Sequence, residues 1–411
     1  VLVSLKSPVT LIRFVIICDA TQFYSEVGGG VGRYLQEKRA YVRESTKDAH
    51  ILLVPGKEDA VVRDGRLTLC TIRSRPLNRT SRYRALFNLG KVQEALEEFR
   101  PHIIESGDPY QLGWQLIHCG QLLDIPVTGF YHSHFPEAHL RTVMKYCGTW
   151  VRDVVLAYAQ DYIVRLYNDF DATLVPSKFL QELLVSWGVD NAEYLHLGVN
   201  TSSFFPGPSG LAPEDLGFSP NRKILLYVGR LAGEKNIQVL LRTFEHLHQR
   251  QPEAYGFVVV GDGSCRTSVQ KLKNAIGCLH WESYCEDSAR LADLYRLADC
   301  FIHPGVHETF GLVALESQAC GCPVVGIRGS YMDSNIFAGL EFWADRNDPR
   351  ALADAVERIL SAHPKALGVQ AGRVVQERFS WSSVFERQWG FYEKMIVRRA
   401  KIRRYGRMFA S

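Results

Sequence analysis

"HETFGLVALESQACGCPVVG" runs from His307 to Gly326 and sets two carboxylates, Glu308 and Glu316, around a glycine at Gly311. "CFIHP" before it reads as a strand, and an apolar run of helical character follows the glycine. Amides in the first turn of a helix lack a partner inside the helix and, with the helix dipole, attract anions, phosphate above all. The amides of Phe310, Gly311 and Leu312 are therefore placed to hold a phosphate, and Gly311 permits close approach. Glu308 precedes the turn, so it can reach past the phosphate. Glu316 lies about one turn into the helix and can reach the other side. A carboxylate can bind two neighbouring hydroxyls, which sugars and ribose both offer. The pattern suggests a sugar joined through a diphosphate to a nucleoside. On spacing alone, a capped surface helix with two solvated acids fits as well.

The rest of the chain alternates strand and helix patterns. "RFVIICD", "HILLVPG", "HIIESGD", "IPVTGFYHS" and "DATLVPS" are short apolar runs, separated by helical stretches such as "VGRYLQEKRAYV" and "LGKVQEALEEF". Near Gly198 a stretch rich in Gly, Pro and Ser reads as a linker. After it come "KILLYVG", "YGFVVVGDG", "DCFIHP" and "CPVVGI", with helices such as "NIQVLLRTFEHLHQ" and "DPRALADAVERILSAH" between. This predicts two α/β halves with parallel sheets.

Three further stretches carry chemistry. "YVGRLAGEKN" (Tyr227–Asn236) places Arg230 and Lys235 in a loop after a strand, where open α/β sheets bind ligands, and two cations suit a diphosphate. "SEVGGGVGRYL" (Ser25–Leu35) puts glycines between the first strand and a helix; it does not complete GxGxxG, and a plain tight turn fits equally. "FYHSHFPE" ends a strand with His132 and His134; without a third ligand at suitable spacing, a hydrogen-bonding or structural histidine is the better reading than a metal site.

Composition sets the limits. With 411 residues, two or three domains are expected. The net charge of +4 gives no argument for nucleic acid. Ten cysteines without a CxxC pair read as reduced thiols in a cytoplasmic setting rather than a disulfide framework. No apolar stretch is long enough for a transmembrane helix. The opening "VLVSLKSPVTLIRFVIICDA" suits a first strand better than a signal peptide.

Glu308 and Glu316, with seven residues between them, resemble the paired-glutamate motif of the retaining glycosyltransferases of family 4, which have the GT-B fold. "PGVHETFGLVALESQACGCPVV", "VGRLAGEKN", "VVVGDG", "ATLVPSKF" and "GVNTSSFFP" all resemble that family, over about Phe14 to Tyr392. The resemblance implies two Rossmann-like domains facing across a cleft. Residues 1–205 would bind the acceptor, together with a C-terminal helix (385–411) crossing back to this domain, and 206–384 would bind the donor. It implies Arg230 and Lys235 on the donor diphosphate, Glu316 on the ribose, and Glu308 with the amides of Phe310 and Gly311 on the sugar. Gly29 and Gly30 would abut the β-phosphate and sugar, and Gly261 and Gly263 the nucleotide, with the base near Tyr284. His132 would lie near the reacting carbon, with His134 on the acceptor side. No cofactor and no metal are implied. Where the family often continues with paired glycines and Pro-Glu, this chain reads "GIRGSYMDSNIFAG", which leaves the sugar open.

Other classes remain in view: a nucleotide-sugar 2-epimerase of the same fold, and a non-catalytic nucleotide-sugar binder. The epimerase would place carboxylates to take a proton from the sugar and would release a free sugar, and the intact Arg230, Lys235 and both glutamates argue against the binder. The acceptor, a sugar, a lipid-linked saccharide or a small molecule, is hinted at in two places. "TIRSRPLNRTSRYR" carries Arg73, Arg75 and Arg79 in the first half, and the tail from Lys394 to Arg407 holds seven Lys/Arg with Met395, Ile396, Ile402, Tyr405, Met408 and Phe409 interleaved. Basic and apolar residues together read as a peripheral segment for an anionic membrane surface. A final helix packed back onto the first half is the other reading.

Overall fold

The computed structural model describes residues 14–24, 30–77, 83–132, 134, 148–285, 287–332 and 335–409, with side chains as far as Ile402. β1 (Ile16–Ala20) and β2 (Phe23–Tyr24) precede α1 (Gly30–Ser45). β3 (Ala49–Gly56), β4 (Ala60–Asp64), β5 (Leu67–Arg73), β6 (Arg75–Pro76) and β7 (Arg84–Ala85) follow. Then come α2 (Leu89–Phe99), β8 (Ile103–Ser106), α3 (Gln111–Leu123), β9 (Val127–Phe130), α4 (Thr149–Asn168), β10 (Ala172–Val175), α5 (Lys178–Trp187) and β11 (Ala192–Tyr194).

These strands form an eight-stranded sheet in the order β11-β10-β9-β8-β1-β3-β5-β4. β1 is parallel to both neighbours, with Cys18 opposite Ile51 and Ile104. Ile17, Cys18 and Ala20 are buried, as expected of a strand covered on both faces. The chain runs from β1 outward to β3 and β5, then returns to β8 on the other side. That reversal opens a crevice at the carboxyl ends of β1 and β8. Alternation of strand and helix does not anticipate the antiparallel β4–β5 hairpin, nor the small antiparallel sheet β2-β7-β6.

The second sheet is wholly parallel. β12 (Lys223–Val228), α6 (Ile237–Arg250), β13 (Tyr255–Val260), α7 (Arg266–Ile276), β14 (Leu279–Glu282), α8 (Ser288–Leu297), β15 (Cys300–Ile302), α9 (Leu312–Ala319) and β16 (Val324–Val325) alternate. α10 (Pro349–Ser361), α11 (Pro364–Arg378) and α12 (Trp381–Phe409) follow. The order is β14-β13-β12-β15-β16, so the reversal falls between β12 and β15. α6 turns its apolar stripe inward, and Phe244 stacks on Phe257 at 4.4 Å.

The chain divides into two compact units: Val1–Phe130 with Leu166–Thr173 and Trp389–Ser411, and Tyr131–Arg165 with Leu174–Gln388. The stretch expected as a linker is packed. Gly198 lies against Trp381, the Val199 amide donates to Phe379 O (2.7 Å), and Phe204, Leu216 and Phe218 are buried. Its glycines and prolines serve close backbone packing and a 3₁₀ turn at Pro213–Leu216.

The tail also departs from a surface segment. Ile396 is buried beside Val15, Ile17 and Ile103, with Met395 packed against them, and Arg399 donates to Asp124 (3.0 Å). Lys394, Arg398, Lys401 and Ile402 remain exposed, and the side chains beyond Ile402 lie outside the described residues. Asp169-Phe170-Asp171 has the letters of a metal-binding Asp-x-Asp, but Asp171 accepts from the Val127 amide (2.8 Å) and Phe170 is core. Among the described residues no helix is long and apolar enough to cross a membrane.

A charged cluster lies under the first sheet's centre. Lys38 of α1, fully buried, donates to Asp19 Oδ1 (2.7 Å), Glu105 Oε1 (3.2 Å) and the Tyr392 hydroxyl (2.6 Å). Tyr34 and Tyr392 each donate to Glu105 at 2.6 Å, and His50 bonds Asp19. Burial pushes Glu105 up to about 7, against the opposing pull of Lys38 and the two tyrosines. For Asp19, Lys38 and His50 together outweigh burial and hold it well below the usual carboxylate range.

Because the folded chain binds the Glu105 proton more tightly than the unfolded chain, that stabilisation is full below the ordinary carboxylate pKa and is lost as pH rises to about 7. Glu105→Gln cannot ionise. The melting temperature of wild type minus that of Glu105→Gln should therefore fall between about pH 5 and about pH 7.5. Buried histidines that titrate in the same window cancel in the difference. Parallel curves would contradict the assignment.

Candidate active site at the second sheet's reversal

The loops leaving β12 and β15 meet at the reversal of the second sheet. After β12, Gly229 takes φ 153 and Arg230 follows with its side chain largely in solvent, paired with Glu234 at 2.8 Å. A 3₁₀ turn, Gly233–Lys235, ends at Asn236 in the left-handed region, φ 60. Asn236 Nδ2 donates to Pro304 O (2.9 Å) and Asn347 Oδ1 (2.7 Å), which fastens this turn to the loop after β15. Lys235 then forms an ion pair with Glu308. Two stretches 73 residues apart, singled out separately in the sequence, are thus brought together.

Burial alone would raise Glu308. Lys235, His303 and Arg230 together outweigh it and hold Glu308 below the usual carboxylate range. His303, the first residue after β15, is buried, and its Nδ1 has no hydrogen-bond partner among the described residues. Burial pushes it down to about 4, so it stays neutral near pH 7.

Gly311 caps α9 at φ 74, and a Cβ there would meet Met332 Cε at 2.3 Å. The left-handed backbone favours glycine, and any side chain there would also have to displace the Met332 methyl. Phe310 is buried, and its carbonyl accepts from Asn335 Nδ2 (2.8 Å). Leu312 opens α9, so its amide and its neighbours' belong to the first turn, which has no partner within the helix. Glu316, one turn in, is 6% exposed and accepts from the Tyr295 hydroxyl at 3.1 Å.

Gly261 and Gly263 have a local duty. A Cβ on Gly261 would sit 1.9 Å from Gly229 O, and one on Gly263 2.4 Å from Leu231 O. They let the β13 loop lie directly on the β12 loop, with Leu231 N donating to Asp262 O (2.9 Å). Tyr284, after β14, is exposed.

His132 is half-buried, and its carbonyl accepts from Thr309 Oγ1 (2.9 Å), one residue past Glu308. His134 is only 1% exposed. It bonds the Tyr131 hydroxyl (2.7 Å) and is enclosed by Trp187 and Tyr331, each with ring centroids at 5.5 Å. Burial, with His307 nearby, pushes it down to about 4.

In the first unit Gly30 is exposed at the start of α1, and Arg73 and Arg75 are exposed at the ends of β5 and β6. Gly29 and Arg79 lie outside the described residues. His303, Asn236, Thr309 and Tyr331 were not anticipated. Asn236 adjoins Lys235, and Tyr331 stands in "GIRGSYMDSNIFAG", so position alone could have pointed to both. Among the described residues no group of three His, Cys, Asp or Glu could hold a metal ion.

The chain is similar to known proteins over both of its halves. Residues 28–203 match the model for Glycosyltransferase Family 4, and residues 211–369 the model for Glycosyl transferases group 1. The chain is 33% identical over 230 residues to D-inositol 3-phosphate glycosyltransferase 2 of Catenulispora acidiphila, covering 52% of this chain but only 54% of that one. It is 27% identical over 368 residues to a GDP-mannose-dependent alpha-(1-6)-phosphatidylinositol dimannoside mannosyltransferase of Mycobacterium tuberculosis, covering 89% and 92%. Among solved structures, sucrose-phosphate synthase of Thermosynechococcus elongatus superposes with a TM-score of 0.73 at 20% identity, over 93% and 99% of the two chains. Anabaena HepE in complex with UDP-glucose gives 0.69 at 16% identity, over 92% and 100%.

Gly311→Ala tests the α9 cap. A left-handed backbone and a contact inside van der Waals distance should together cost about 1–3 kcal/mol, read as a lower midpoint in denaturant. Wild-type stability would mean that the loop relaxes freely.

Proposed function

The chain belongs to the glycosyltransferases of group 1 and family 4, with their GT-B fold, and we propose that it transfers a hexose from a nucleoside diphosphate sugar to an acceptor hydroxyl with retention at the anomeric carbon. The observation that carries this reading is the Lys235–Glu308 pair beside the first turn of α9. Lys235 neutralises Glu308. An arriving diphosphate takes Lys235 and Arg230 as counter-ions and leaves the Glu308 carboxylate for sugar hydroxyls. The first-turn amides of α9 add fixed partial charge at the same place. Glu316, which accepts from the Tyr295 hydroxyl, takes the ribose.

As the C1–O bond breaks, its electron pair moves to the diphosphate, and the anomeric carbon passes through an oxocarbenium-like state. The acceptor oxygen attacks from the face the diphosphate leaves. Its proton goes to the departing phosphate oxygen, so no side-chain base is needed. Cations and amides already in position stabilise the developing charge without reorganisation. His132 lies beside the reacting carbon in this reading, fixed through Thr309, and the enclosed His134 supports it rather than touching the acceptor.

Residues 206–384 serve the donor. Residues 1–205, with 385–411, serve the acceptor. The relatives' names mention GDP-mannose in one case, and D-inositol 3-phosphate or phosphatidylinositol dimannoside in the two. These names support a reading with a GDP- or UDP-linked hexose as donor and an anionic or lipid-linked polyol as acceptor. Arg73 and Arg75, with Leu77 and Phe87 exposed nearby, and the exposed Lys394, Arg398 and Lys401 supply cationic surface for such an acceptor at the inner face of a membrane.

Glu308→Gln and Lys235→Met should each lower turnover at saturating donor by ~30- to 1,000-fold, equivalent to 2–4 kcal/mol, with the fold intact by circular dichroism. Proton NMR of the product should show the donor's α configuration kept. Near-wild-type turnover or a β-linked product would refute the assignment.

Anionic vesicles should bind the full-length protein at low salt and release it as salt rises, because exposed cations are screened over a Debye length of ~8 Å at physiological ionic strength. Sedimentation measures this. Protein that stays in the supernatant would point to a soluble acceptor.

A further inference from the structure

The buried cluster of the first unit joins elements that the chain itself connects only through the glycine-rich stretch. Asp19 lies one residue before the end of β1, while Tyr34 and Lys38 lie four and eight residues past Gly30 on one face of α1. The β1 end is pinned a second time. Asp108, after β8, accepts from Thr21 Oγ1 and the Gln22 amide, each at 2.5 Å. α1 is held in the cluster by Lys38, to Asp19 and Glu105, and by Tyr34, to Glu105. Lys38 in turn is completed from the far end of the chain: Tyr392 accepts from it at 2.6 Å and donates to Glu105 Oε2 at 2.6 Å.

We propose that Tyr392 of the C-terminal helix is a positioning residue that fixes the first turns of α1, and with them Gly30, against the carboxyl end of β1. It rests on the proposed function only for its effect on turnover. Without the Tyr392 hydroxyl, Glu105 Oε2 loses a donor inside a buried site. A carboxylate so placed takes up a proton more readily. Its pairing with Lys38 then weakens, and the first turns of α1 are held less firmly, with Lys38–Asp19 left as the main tie to β1. Replacing a buried ionic cluster with apolar side chains is often neutral or stabilising, so packing alone gives little reason for one here.

Trp389 supplies the control. It sits on the same helix one turn earlier, its ring packs on Tyr41 of α1 and on Tyr392, and its indole donates to Asp48 Oδ2 (2.6 Å), outside the cluster; phenylalanine keeps a ring there and removes that donor. The full-length chain, Tyr392→Phe and Trp389→Phe are compared by hydrogen–deuterium exchange, melting temperature and steady-state kinetics. In Tyr392→Phe the amides of Gly30–Tyr34 should exchange at least ~10-fold faster, and kcat should fall ~10-fold or more with the acceptor KM unchanged. Trp389→Phe should leave both within about 2-fold even where its melting temperature drops as far. Wild-type exchange in Tyr392→Phe, or equal effects from both variants in step with stability, would overturn the proposal. If no transfer is detected in wild type, the functional reading fails on its own, and exchange still decides the role of Tyr392.

Discussion

A parallel sheet built outward in two directions from one strand must leave a gap where the direction changes, because the loops at that point diverge to opposite sides. Both sheets of this protein obey that constraint, at β1/β8 and at β12/β15. The charged loops after β12 and β15 gather at the second gap. Arg230, Lys235 and Asn236 leave β12, while His303, Glu308 and Gly311 leave β15. The glycines at 229, 261 and 263 allow these loops to lie on one another's backbone, so main-chain packing holds the cation-bearing turn together with the Asn236 side chain.

The two units treat charge differently. At the second gap the Lys235–Glu308 pair is partly open to water, and its partners can be exchanged for those of a ligand. Under the first sheet, Lys38, Asp19 and Glu105 are sealed from water and satisfied by tyrosines and a histidine. An exchangeable pair suits binding. A sealed cluster suits register, because a buried charge tolerates few alternative arrangements.

Much of this was legible in the sequence. β-branched runs alternating with amphipathic helices predicted the parallel sheets, and glycine followed by an apolar helical run predicted the start of α9. The Arg230–Lys235 loop was recognisable because cations after a strand have a known use. What escaped notice depends on distance along the chain. The Lys235–Glu308 contact and the Asn236–Pro304 bond join residues whose spacing carries no local signal. Lys38 looks like a solvated helical lysine until Tyr392 is seen beside it. Pro- and Gly-rich composition suggested a linker near Gly198, but the same residues also permit tight backbone packing against Trp381. In the tail, amphipathic composition could not tell a membrane-facing stripe from a core-facing one.

Trp389 and Tyr392 belong to the first unit although the whole of Leu174–Gln388, which belongs to the second, separates them from the rest of it in sequence. On the ribosome, the nascent first unit therefore waits for its last component. At 5–20 residues per second, the interval between Phe130 and Tyr392 is roughly 10–50 s. Through that time Lys38 and Glu105 lack their tyrosine from the chain's far end, and the face that later receives Ile396 stays uncovered. The second unit can complete its core before the first does, although its own sequence is translated later.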